Sequence, residues 1–159
     1  MKMQVERDIA VPRSQVWAYF SDPMTQADWD RSVAQVLVTS AGPVRVGTTF
    51  DTIGPGRSGG RRQGIITSYQ VTEFEPERHT KAVVTNSRTL KRAAWSFTFE
   101  SIAGGATHVV CDVEIVPKLR YAWLSLLLRA NRWQLVRDMG WFEVALRDKY
   151  AAADPKEEP

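Results

Sequence analysis

Apolar residues recur at every second position through most of the chain and at helical spacing near both ends. Met3, Val5 and Ile9 alternate with polar residues, a beat broken by Arg7, and predict a first strand with one buried face. Pro12 suits the first turn of a helix, where its missing N–H costs nothing, and Val16, Trp17 and Phe20 form the apolar stripe behind it. That helix stops near Asp22 and Pro23, because a residue before proline is pushed out of the α region. A short second helix follows from Met24 to about Trp29.

From residue 33 to residue 117 the pattern is strand after strand, punctuated by Gly42 and Pro43, Gly47, Gly54 to Gly56, Gly59 and Gly60, Pro76, and Gly104 and Gly105. Six antiparallel strands fit this stretch. In the clearest, Trp95, Phe97 and Phe99 alternate with Ser96, Thr98 and Glu100, and in the next Val109, Cys111, Val113 and Ile115 alternate with Val110, Asp112 and Glu114. The sheet therefore packs along one side only. What it packs on is a last helix over residues 119–152, kinked or broken near Arg129. Leu124, Leu128, Leu135, Met139, Phe142, Leu146 and Tyr150 share one stripe of it, on a rod roughly 45 Å long.

The order strand, two short helices, six strands, long helix predicts an α+β fold in which a curved seven-stranded antiparallel sheet wraps a C-terminal helix. Residues 1–153 form one domain and residues 154–159 a polar tail. A sheet of this size cannot bring every inward side chain onto one helix, so a cavity between them is the default site.

Composition narrows the chemistry. Of 159 residues 43% are hydrophobic and 25% charged, the balance of a water-soluble globular chain. The net charge of +3 is spread along the chain, and its local cluster, Arg57, Arg61 and Arg62, lacks interleaved aromatics, so no nucleic-acid partner is expected. The start of the chain lacks the apolar core of a signal peptide and no segment has the roughly 20 apolar residues of a membrane span, so the expected location is cytoplasmic. Cys111 has no partner for a disulfide, and His108 lies an odd number of residues from it along the strand, which separates the two across the sheet. His79 and His108 have no further ligand at metal spacing, and the glycine-rich stretch from Gly54 to Gly64 lacks a phosphate-loop ending, so neither metal nor cofactor is expected. That stretch reads as a hairpin tip at the mouth of the cavity.

A family resemblance adds to this. The opening Ile9-Ala10-Val11-Pro12-Arg13-Ser14-Gln15-Val16-Trp17, with Asp22-Pro23 and Trp29 behind it, resembles the SRPBCC superfamily of helix-grip, START-like proteins, in its polyketide cyclase/dehydrase branch. Val46-Gly47-Thr48-Thr49-Phe50, Val71-Thr72-Glu73-Phe74-Glu75-Pro76-Glu77-Arg78 and the strand from Trp95 to Glu100 leading into Gly104-Gly105-Ala106-Thr107 are similar to its later segments, in the same order. The resemblance implies a helix-grip fold and a hydrophobic cavity for a lipid- or polyketide-like molecule. It leaves the chemistry open, since fold does not fix function.

The helix-grip order brings Trp29, Phe50, Trp95 and Phe97 around one cavity, with Leu135, Met139 and Phe142 facing them from the helix and Cys111 and Val113 from the last strand. Tyr69, Asn131 and Asp138 are the polar side chains expected to look inward. Three readings follow. The first and favoured one is a non-catalytic protein that binds a hydrophobic or aromatic small molecule. The second is an aromatase/cyclase-type enzyme in which Asp138, in an apolar pocket, works as acid and base while Tyr69 or Arg88 polarises a carbonyl. The third is a protein or membrane interaction module, because Leu126, Trp133 and Val144 line the opposite face of the last helix with Trp123 and Trp141 on its flank, as a homodimer contact or a peripheral membrane contact requires.

Overall fold

The computed structural model describes residues 1–56, 64–123 and 132–151. Strand β1 (Lys2–Ile9) is followed by α1 (Arg13–Phe20), a 3-10 turn at Pro23–Thr25 and α2 (Gln26–Trp29). Strands β2 (Gln35–Val38), β3 (Thr49–Ile53), β4 (Ile66–Glu75), β5 (His79–Ser87), β6 (Leu90–Ile102) and β7 (Ala106–Pro117) come next, and α3 (Arg132–Ala151) is last. The strands form one sheet in the order β1-β7-β6-β5-β4-β3-β2, every neighbouring pair antiparallel. The α+β architecture is the one the periodicity predicts, with the helix-grip order that the family resemblance implies.

Local chemistry sets the breaks. Asp22 Oδ1 accepts the Met24 N–H at 3.0 Å and Pro23 opens the following turn, so α1 ends where an Asx cap takes over. Gly104 and Gly105 turn β6 into β7 at φ of +79° and +73°, where a side chain would be strained. β4 carries register shifts between Ser68 and Tyr69 and between Val71 and Glu73. Shifts of this kind bend a strand and increase its twist, and here they curl the sheet toward the helices.

The last helix departs from expectation at its start. Leu119–Tyr121 is a 3-10 turn, closed by the Tyr121 N–H on the Lys118 carbonyl, and Leu119 points into solvent. Leu124, Leu126, Leu128, Arg129 and Asn131 lie outside the described residues, as do Arg57, Arg61 and Arg62 of the glycine-rich stretch.

α3 is fastened to the β1 end of the sheet. Arg7, the residue that interrupts the alternation of β1, donates its Nε–H to Glu143 at 2.6 Å, and Arg147 holds the other carboxylate oxygen at 2.5 Å. Met139, Phe142 and Leu146 are buried with Val5 and Cys111 beneath, and Tyr150 donates its hydroxyl to the Gln15 carbonyl at 2.9 Å. Phe142 joins the two layers: its ring lies 5.3 Å from Trp29, 5.8 Å from Phe20 and 6.0 Å from Tyr19. Truncating it removes all three contacts in a place with no slack. Phe142→Ala is expected to cost about 3–5 kcal/mol, read as a lowered urea midpoint at unchanged slope.

Candidate functional site

The apolar interior is divided in two. One group, around Trp17, Phe99 and Phe142, lies under α1 and α3; the other, Val33, Val36, Phe50 and Val71, belongs to the far end of the sheet. Between them is a cavity of about 600 Å³. Its size falls within the roughly 300–1,000 Å³ of small-molecule sites.

The floor of the cavity is a row of cross-strand partners. Met3 faces Val113, Val113 faces Trp95, Trp95 faces Ala82 and Ala82 faces Val71, one residue from each of β1, β7, β6, β5 and β4, and all five border the cavity. Phe50 and Tyr69 stack at 5.2 Å along one side, with the Trp95 ring edge-on to Tyr69 at 5.5 Å. Phe20 and Trp29 close it from the helix layer, and Gln134, Leu135 and Asp138 from the first half of α3.

Most of the residues singled out in the sequence meet here: Trp29, Phe50, Tyr69 and Trp95, with Phe97, Val113, Leu135 and Asp138. Four do not. Cys111 belongs to the next row, Val5–Cys111–Phe97–Thr80–Phe74, and that row is open to the cavity only from Phe97 onward. Val5 and Cys111 are sealed in the core with Met139 and Phe142, so these last three are packing residues behind the wall. Arg88 sits exposed in the turn between β5 and β6 and does not border the cavity. The two histidines lie on the outer sheet face, each with partners of its own: His79 is 3.0 Å from Glu73 and 3.2 Å from Thr98, and His108 2.6 Å from Asp8.

The polar groups of the site concentrate where α2 runs out toward β2. Asp30 is engaged through both oxygens: one accepts the Ser32 N–H at 2.9 Å and its hydroxyl at 2.6 Å, the other the Gln26 amide at 3.1 Å. Arg31 places its guanidinium 4.5 Å over the Trp141 ring and gives its backbone N–H to Asp138. Asp138 itself is only 7% exposed. Burial, and then the charge of Asp30, push its carboxyl up to about 6. Burial pushes the Tyr69 phenol up to about 12, so it stays a neutral hydrogen-bonding group. The Trp29 indole N–H is buried without a partner, and burial pushes the Cys111 thiol up, away from the thiolate a nucleophile needs.

Asp30, Arg31 and Gln134 are site residues that sequence reasoning missed, and with them Met3, Val71 and Ala82. The Asp30-x-Ser32 pattern signals a side-chain turn, which fixes Asp30 locally but says nothing of the helix it faces. Met3 and Ala82 become neighbours of one space only through register, which spacing along the chain does not carry.

The family described as polyketide cyclase/dehydrase and lipid transport matches residues 1–141. Among solved structures, the Zhui aromatase/cyclase from Streptomyces sp. R1128 superposes with a TM-score of 0.79 at 13% identity, over 96% of this chain and 97% of that one. The protein TTHA0849 from Thermus thermophilus gives 0.75 at 14% identity, over 97% and 100%. The major latex-like protein 151 of Panax ginseng gives 0.64 at 11% identity, over 91% and 96%. At these identities the likeness establishes the fold. No curated protein sequence matches the chain.

The buried carboxyl has a measurable signature. Its folded pKa lies above the roughly 3.9 of an unfolded aspartate, so the folded state holds the proton more tightly. The destabilisation is absent below about pH 4, builds as pH rises from about 4 to about 6 and is complete above that. Asp138→Asn is expected to raise stability by about 1–2 kcal/mol at about pH 7.5, a full shift being discounted for solvent screening, and to leave it unchanged near about pH 4. Urea unfolding at the two pH values reads both.

Proposed function

The chain belongs to the polyketide cyclase/dehydrase and lipid transport family, and from that membership we propose that it binds an apolar, ring-bearing molecule of lipid- or polyketide-like character in the cavity between the sheet and α3. The observation that carries this reading is the aromatic cavity that splits the core. Walls of Phe50, Tyr69, Trp95 and Phe97 forfeit dispersion contacts when nothing lies against them, and a flat apolar ligand restores those contacts while leaving water. The polar groups at one end give such a ligand a direction. The neutral Tyr69 hydroxyl and the Asp138 carboxyl suit a molecule with a carbonyl or hydroxyl on an otherwise apolar frame.

The test is titration with an environment-sensitive aromatic dye, followed by displacement, and native mass spectrometry of freshly purified protein. Saturable binding with one site is expected. Phe50→Ala is expected to weaken it about tenfold, the loss of part of one ring's burial. Ala82→Phe, which fills the floor from the middle of the row, is expected to abolish binding while the protein still folds. Saturable binding that survives Ala82→Phe unchanged would move the site elsewhere.

A second reading, acid–base transformation of the bound molecule, draws on Asp138. A carboxyl near pKa 6 divides between acid and base close to neutral pH, so it can give a proton to a carbonyl oxygen and take one from a neighbouring carbon. Tyr69 serves as the accompanying donor; Arg88, outside the cavity, has no part in it. With a poly-β-carbonyl substrate this reading expects Asp138→Asn to lose turnover while dye binding persists. Equal turnover by the variant sinks it.

A further inference from the structure

The outward face of α3 bears exposed apolar side chains, of which Trp141 alone has a ring partner among the described residues, the Arg31 guanidinium. At 3.6 residues per turn, Trp133 and Val144 fall on the side opposite Phe142, with Val136 on one flank and Trp141 on the other. All four are exposed, Trp133 at 77%. Leu119 and Trp123, in the segment that leads toward α3, are exposed too. Of the six tryptophans, the three in the core or the cavity wall are 17, 29 and 95; the three on the surface, 123, 133 and 141, all belong to this part of the chain. Tryptophan combines an apolar body with one polar edge and favours the boundary between water and hydrocarbon.

Charge accompanies the stripe. Among the described residues from 118 onward, Arg120, Arg132, Arg137, Arg147 and Lys149 are exposed cations, Arg147 being paired with Glu143 and Lys149 lying over the Tyr19 ring, and Asp148 is the exposed acid. The other two carboxylates, Asp138 and Glu143, are buried. A tryptophan-bearing apolar stripe edged by arginine matches a surface that is negatively charged above and apolar below. Area argues in the same direction. The four side chains of the α3 stripe offer on the order of 400 Å² of apolar surface, about half of what each partner contributes to a stable protein interface. A bilayer sets no such minimum, since added cations and apolar groups each strengthen adsorption. Among the described residues no helix is long and apolar enough to cross a membrane, so the contact is peripheral.

We propose that the outward face of α3 docks the protein on an anionic lipid bilayer, with Trp133 and Val144 entering the interface and Arg132 and Arg137 meeting the headgroups. The face adjoins the cavity: Gln134 and Leu135, next to Trp133, line it, and Ile65 at its other side is itself half exposed. Docking there would hold the helix that closes one side of the cavity against a reservoir of apolar molecules. The proposal stands apart from the cavity reading, because it concerns a surface and is tested without any cavity ligand.

The experiment is co-sedimentation of the whole chain with vesicles of phosphatidylcholine, with and without phosphatidylglycerol, at low and high salt. Binding to the anionic vesicles is expected, weakened by salt because surface charge is screened. Trp133→Glu with Val144→Glu is expected to lose at least about tenfold in partitioning, and Arg132→Gln or Arg137→Gln about fivefold each. Circular dichroism melts should not move, since all four side chains are exposed. Should the double variant fail to fold, quenching of wild-type tryptophan fluorescence by brominated lipid reads the same contact. Absence of binding to anionic vesicles, binding untouched by these variants, or a dimer in sedimentation that Trp133→Glu dissolves would each overturn the proposal, the last by assigning the stripe to a second copy.

Discussion

Everything distinctive in this structure depends on where α3 is held. Arg7 on β1 reaches Glu143, Arg147 takes the other oxygen, and Met139, Phe142 and Leu146 bury themselves over Val5 and Cys111 at the same end of the sheet. Glu143 is buried and has an arginine at each oxygen, so parting it from Arg7 leaves a buried carboxylate short of one of its two partners. The helix is therefore anchored hard at one edge of a seven-stranded sheet. It cannot also cover the other edge. The space left over the row from Met3 on β1 to Val71 on β4 is the cavity, and its existence follows from the width of the sheet against one off-centre helix.

What keeps that space open is a different set of interactions. The register shifts on either side of Tyr69 to Val71 bend β4, so that Val71 and Tyr69 stand as a wall. Phe50 stacks on Tyr69, Trp95 meets Tyr69 edge-on, and Phe20 packs 4.4 Å from Phe97, so each aromatic wall is braced by another ring. Ring pairs of this kind add about 0.5–1.5 kcal/mol beyond burial. A wall whose rings brace one another side by side does not need the space in front of it filled to hold its shape.

The legible part of the sequence was what periodicity can carry. Alternation at Trp95, Phe97 and Phe99 marks strands with one buried face, the stripe through Met139, Phe142 and Leu146 marks the helix they meet, and both stand as expected. Two kinds of information were beyond it. Register was one: Cys111 and Val113 have the same parity, yet one is sealed under α3 and the other borders the cavity, because the helix covers the β1 and β7 end of the row through Cys111 and leaves the row through Val113 open along its length. Charge was the other. Arg7 looks like an interruption in β1, and it is the clamp, since an inward arginine has meaning only once Glu143 is known to face it. Arg88 misleads for the complementary reason: a lone cation in a turn is free to face solvent, and does.

The two aspartates at the cavity show how the same side chain acquires opposite properties from its neighbours. Asp30 ends α2 and commits both carboxylate oxygens to Ser32 and Gln26, so its charge is held locally. Asp138, brought against it by α3, accepts the Arg31 N–H and is otherwise buried, with that charge as a neighbour. One carboxylate is satisfied by its own turn; the other is raised by burial and by the first. The turn is a local feature and the helix a distant one, so the pair depends on the Arg7 clamp together with the packing of Met139, Phe142 and Leu146, which set the position of α3 along the sheet. The anchoring that leaves the cavity open also supplies it with a carboxyl poised near neutral pH.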